Sequence, residues 1–170
     1  PPPGPAGVDS FTDFAGGFPE GGGKPVFYVT SGINWRGNNT GVNGLFASRD
    51  GGTSWSELDT SFLSPAPVGT AGVELRAVGT CFTQPQVGYL SFQDHTSSLP
   101  YSELSLGVAK STDYGKTWTK VWNDTVEQAA ENVADPWITP RFGTTWGENP
   151  FPLGVAPLNP DICFGTDFGR

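Results

Sequence analysis

Hydrophobic and polar residues alternate in short runs along this chain, and the runs recur. Val26-Phe27-Tyr28-Val29-Thr30 is β-branched and aromatic throughout, which predicts a strand. After a polar loop from Asn34 to Asn43, Gly44-Leu45-Phe46-Ala47 predicts a second strand and Trp55-Ser56-Glu57-Leu58 a third. The alternation of Val73-Glu74-Leu75-Arg76-Ala77-Val78 predicts a fourth with one solvated face. The order then repeats as Val87–Phe92, Leu106–Lys110 and Trp118–Trp122. A third round opens at Pro160 with Asp161-Ile162-Cys163-Phe164. Only Thr125–Val133, behind the candidate N-cap Asp124, has the composition of a helix, of one or two turns.

The recurrence is sharpest at two turns. Ser48-Arg49-Asp50-Gly51-Gly52-Thr53-Ser54-Trp55 and Ser111-Thr112-Asp113-Tyr114-Gly115-Lys116-Thr117-Trp118 both fit Ser-x-Asp-x-Gly-x-(Ser/Thr)-Trp. The physical reading is a hairpin corner. The Asp carboxylate accepts hydrogen bonds from backbone N–H groups of the turn, the Gly takes a positive φ, and the Trp buries its indole beneath the turn. Two matches at four specified positions mark a repeat protein.

These residues, Ser48, Asp50, Gly52, Trp55, Ser111, Asp113, Gly115 and Trp118, resemble the Asp-box of sialidases, xyloglucanase-type glycosidases and related propellers. The resemblance implies an all-β fold: an Asp-box β-propeller segment of about two to three four-stranded blades in an incomplete ring. It also implies a structural role for the boxes, on the blade periphery away from the ligand-bearing channel. The expected organisation is a Pro/Gly-rich arm over residues 1–24 and a first blade over 25–84. A second blade follows over 85–159, with a long insert at 123–150, and 160–170 is the inner strand of a third, truncated blade. Phe11, Phe14 and Phe18 in the arm are expected to dock on a neighbouring surface. Closing a ring takes about four to eight blades, so its remainder is expected in the same polypeptide, in another chain or in further copies.

Composition narrows the partners. The net charge of −8 argues against nucleic acid or an anionic membrane surface, and no apolar run is long enough to span a bilayer. Neutral glycan fits better. The 24 Gly and 16 Pro fit a loop-rich secreted protein, extracellular or periplasmic. Asn38 and Asn123 head Asn-x-Thr triplets, in polar, turn-like stretches where a glycan can be carried. Cys81 and Cys163 either pair, remain buried thiols, or meet a cysteine outside the chain.

Candidate chemistry is sparse. Glycoside hydrolysis needs two carboxylates about 5–10 Å apart, and 17 Asp and Glu discriminate nothing by number. Asp167, in Gly165-Thr166-Asp167-Phe168-Gly169, resembles the Thr-Asp-x-Gly turn of xyloglucanase-type propellers, which implies a catalytic carboxylate facing the cleft. The same four residues are also an ordinary β-turn. Trp137, Arg141, Trp146 and Glu148 in the insert combine flat aromatics with polar groups, as sugar recognition requires. The alternative is that the aromatics seal adjacent blades. His95 is the sole histidine, so no His-rich metal site can form, and no cofactor motif occurs. None of the five Arg precedes Ile-Pro, so no sialidase residue carries over. The sequence therefore points to a carbohydrate-binding propeller segment of xyloglucanase-like type. The competing class is a noncatalytic extracellular scaffold completed by other chains or copies.

Overall fold

The computed structural model describes residues 11–31, 44–62, 73–94, 105–124 and 154–165. Every regular element among them is a β-strand. In chain order they are β1 (Phe11–Gly17), β2 (Val26–Ser31), β3 (Gly44–Ser48), β4 (Ser56–Glu57) and β5 (Val73–Thr80). Then come β6 (Gly88–Asp94), β7 (Ser105–Ser111), β8 (Thr119–Asp124), β9 (Gly154–Val155) and β10 (Cys163–Phe164). Among the described residues no helix is long and apolar enough to cross a membrane. The expected helix over 125–133 lies outside them.

The strands form two four-stranded antiparallel meanders, β1-β2-β3-β4 and β5-β6-β7-β8, and a two-stranded β9-β10 sheet. Two expectations are corrected by this grouping. The stretch 1–24 is not wholly an arm, because Phe11–Gly17 pairs with β2 as the first strand of the first sheet. Val73–Val78 does not close the first unit but opens the second sheet, pairing with β6. Its connection from β4 is a crossover between sheets, which sequence adjacency alone disguises.

The sheets stack face to face. Val26, Tyr28, Leu45, Ala47 and Leu58 of the first form one buried cluster with Leu75, Val78, Leu90, Phe92, Ala109 and Trp118 of the second. On the second sheet's other face, Ala77, Val87 and Tyr89 pack with Val108, Val155 and Cys163, joining the third sheet. Leu75, Ala77 and Val78 of β5 are all buried although β5 is the edge strand of its sheet, because the first sheet covers one of its faces and the third sheet the other. Burial of each large side chain there stabilises the fold by about 1.5–3 kcal/mol.

Register makes the repeat exact at the residue level. Phe27 pairs with Ser48 and Gly88 with Ser111, so Phe27 matches Gly88 and Tyr28 matches Tyr89. In the third sheet Cys163 pairs with Val155 and Phe164 with Gly154, as Gly88 pairs with Thr80 and Tyr89 with Gly79. Cys163 and Phe164 are thus the third pair in the series. The first strand of each four-stranded sheet carries a register shift at the matching place, between Phe11 and Asp13 and between Leu75 and Ala77. Such bulges bend and twist a strand locally.

Candidate functional site

The two repeat turns have the same internal wiring. Ser48 Oγ donates to Asp50 Oδ1 at 2.8 Å and accepts from the Gly52 N–H at 2.8 Å. Asp50 accepts from the Ser54 N–H at 2.9 Å and from Ser54 Oγ at 2.6 Å. In the second turn Ser111 Oγ donates to Asp113 at 2.9 Å and accepts from the Gly115 N–H at 2.9 Å, while Thr117 supplies both its N–H and its hydroxyl to Asp113. Gly51 and Gly52 have φ of 80° and 87°, and Tyr114 and Gly115 have 64° and 76°. The turn therefore needs two successive left-handed residues, and Tyr114 adopts that conformation against the usual cost for a side chain.

These bonds explain the electrostatics. The Ser54 hydroxyl and N–H, with the Ser48 hydroxyl, hold the Asp50 carboxyl far below the usual carboxylate range. The Thr117 hydroxyl, with the Thr117 N–H and the Ser111 hydroxyl, holds Asp113 at about 2. A carboxylate so strongly held in its ionised form is poorly suited to exchange protons near neutrality.

The two tryptophans differ. Trp118 is buried, donates Nε1–H to Gly115 O at 3.1 Å, and stacks on Phe62, in the turn that follows β4, at 6.2 Å. Trp55 is only half-buried and stacks on Phe27 at 6.4 Å, so its indole is not sealed beneath its turn as expected.

Neighbouring sheets are tied near these turns. Arg49 Nη2 donates to Tyr114 O at 2.7 Å, Tyr28 Oη to Pro85 O at 2.7 Å, and Tyr89 Oη to Pro160 O at 2.7 Å. Lys110 lies over the Tyr89 ring and pairs with Asp161 at 2.9 Å, a contact that raises its pKa. Both cysteines are free thiols. Cys81 Sγ donates to Pro157 O at 3.3 Å, and burial pushes the Cys163 thiol up to about 11.

Of the other expected site residues, Asn38, Trp137, Arg141, Trp146, Glu148 and Asp167 lie outside the described residues, as does His95. Asn123 is in β8, paired with Gly107, rather than in a turn. Phe11, Phe14 and Phe18 belong to β1 and its following turn. Phe14 packs against Phe27 with ring centroids 5.4 Å apart and Phe18 against Phe82 at 5.6 Å, both pairs tilted, yet all three keep about half their surface exposed. Among the described residues no cluster of His, Cys, Asp or Glu could hold a metal ion.

Strand direction nevertheless sorts the molecule into two ends. The β1–β2 and β5–β6 turns lie with the repeat turns at one end, as the Gly51 N–H to Pro25 O and Tyr114 N–H to Gln86 O bonds show, each 3.0 Å. The opposite end holds the paired residues Ser31 and Gly44, Asp94 and Ser105, and Val73 with Asp94. β8 runs toward that end as well, its Asp124 pairing with Leu106.

Stacked four-stranded meanders whose faces pack on one another define a β-propeller segment. One solved structure makes the likeness concrete: the GH74 xyloglucanase of Xanthomonas campestris, 23% identical, with a TM-score of 0.56. The match covers 98% of this chain and 21% of the xyloglucanase, so this chain corresponds to about a fifth of that protein's length. No protein-family model and no curated sequence matches the chain.

Proposed function

We propose that this chain is part of a secreted Asp-box propeller that binds neutral carbohydrate, as a segment of a xyloglucanase-like glycoside hydrolase. The observation that carries the reading is the shared propeller fold with a GH74 xyloglucanase over nearly the whole chain. Strand polarity supports the location. The described strands deliver the chain to 32–43, 95–104 and 125–153 from the end opposite the repeat turns, and β10 points the chain toward the same end before Asp167. In this reading the insert residues Trp137 and Trp146 supply apolar faces for sugar rings, and Arg141 and Glu148 the directional hydrogen bonds. Asp167 serves as one carboxylate of a catalytic pair. The Asp-box aspartates are reserved for the turns.

The test is incubation of the chain with β-glucan and xyloglucan oligosaccharides, following both binding and cleavage. The expected result is saturable binding weakened roughly ten-fold or more by Trp146→Ala, with any hydrolysis abolished by Asp167→Ala. Absence of binding, together with assembly of the chain into larger particles, would replace this reading with the noncatalytic scaffold.

A further inference from the structure

One contact recurs wherever a sheet meets the next. Gly88 leaves a gap on the second sheet, and Tyr28 of the first lies over it. A Cβ at Gly88 would stand 3.7 Å from Tyr28 Cζ and 3.3 Å from Trp118 Cη2. The Tyr28 hydroxyl then reaches Pro85 O. One sheet further, Tyr89 reaches Pro160 O and shares an apolar cluster with Cys163, the residue matching Gly88. At both junctions an aromatic side chain of one sheet thus packs in the same place as a small residue of its successor, Gly88 or Cys163.

The outer face of the first sheet breaks this rule. Where the later sheets have Gly88 and Cys163, it has Phe27, whose ring occupies the gap between Phe14 and Trp55. Phe14 is 59% exposed, and Trp55 is half-buried where its counterpart Trp118 is covered by Phe62. Val29 and Phe46 on the same face are buried, so its open part is the end nearest the repeat turns. At the far side of the stack stands Phe164, which matches Tyr28 and Tyr89 and is 66% exposed beside Ile162.

We propose that Phe14, Phe27 and Trp55 form an interface for a further β-sheet carrying Gly, Ala or Ser at the position of Tyr28 and Tyr89. Phe27 excludes a second copy of this chain from that place, because the copy's third sheet brings Phe164 onto a gap already filled. The patch continues, in register, the face-to-face packing by which the second sheet receives the first, and packed cores do not accept two rings in the volume of one. Phe27 reverses the polarity of the contact: here the later sheet supplies the ring and the earlier one the gap. The interface rests on sheet packing and is independent of any sugar bound at the opposite end.

Sedimentation velocity across a concentration series tests this with the wild-type chain, Phe27→Gly and the double variant Phe27→Gly/Phe164→Asp. The wild type is expected to stay monomeric. Phe27→Gly empties the gap and is expected to associate with itself at least roughly ten-fold more tightly, the scale set by burying one aromatic ring, with Phe164→Asp reversing the gain. Phe27→Ala reads the same way should the glycine weaken β2. Wild-type self-association abolished by Phe164→Asp would overturn the proposal, as would a folded Phe27 variant that associates no more tightly than wild type.

Discussion

At the scale of single residues, the repeat turns show how sequence type becomes geometry. Gly52 and Gly115 occupy matching left-handed positions, but their surroundings differ. A Cβ on Gly52 meets nothing nearer than Phe27 Cε2 at 3.7 Å, whereas one on Gly115 falls 2.6 Å from Leu58 Cδ1. Gly52→Ala is therefore expected to cost about 1–2 kcal/mol from backbone strain alone, and Gly115→Ala distinctly more, since Leu58 of the neighbouring sheet must also move. Chemical denaturation of the two variants checks the order, and equal losses would refute it. The aspartates set an acid limit. Asp113 titrates at about 2 in the fold, below its unfolded value of roughly 3.9. Its contribution is thus complete above pH ~4 and is lost as the pH falls through ~2. Thermal unfolding between pH 6 and pH 2 should show this loss, and Asp113→Asn should flatten it. An unchanged profile in the variant would assign the acid sensitivity elsewhere.

At the scale of elements, the decisive bonds run between sheets rather than within them. Tyr28 is buried, burial raises its phenol well above the usual range, and its hydroxyl satisfies the buried carbonyl of Pro85. Tyr28→Phe is expected to lower stability by about 1–2 kcal/mol. Tyr89→Phe should lower it less, because Pro160 is only half-buried; urea titration of both variants distinguishes them. The sequence made part of this plain. The two Ser-x-Asp turns stand out because each fixed residue has a separate backbone task, and the strands on either side follow from their β-branched and aromatic runs. β1 was hidden because Phe11–Gly17 sits among Gly and Pro and owes its pairing to β2, a partner beyond its own local propensity. β5 reads as part of the first unit because it follows β4 in the chain, while its hydrogen bonds go forward to β6. The exchange of Gly88 for Phe27 cannot be read from either segment alone, since its meaning appears only when the faces of successive sheets are in register. The aromatic insert and Asp167 were legible as chemistry but carry no spacing that fixes their geometry.

At the scale of the whole molecule, the fold separates two surfaces. Repeat turns, cross-sheet latches and both described cysteines gather toward one end, and the strands deliver the long connections from the other. Tight turns at one end and long connections at the other match the usual division between scaffold and recognition surface. The carbohydrate reading depends on that polarity, so chemical-shift mapping by NMR with a xyloglucan oligosaccharide tests it most directly. Binding at the loop end predicts shifts in the amides of Ser31, Gly44, Asp94 and Ser105, with Asp50–Ser54 and Asp113–Thr117 unmoved. Shifts confined to the repeat turns, or none at saturating sugar, would contradict it.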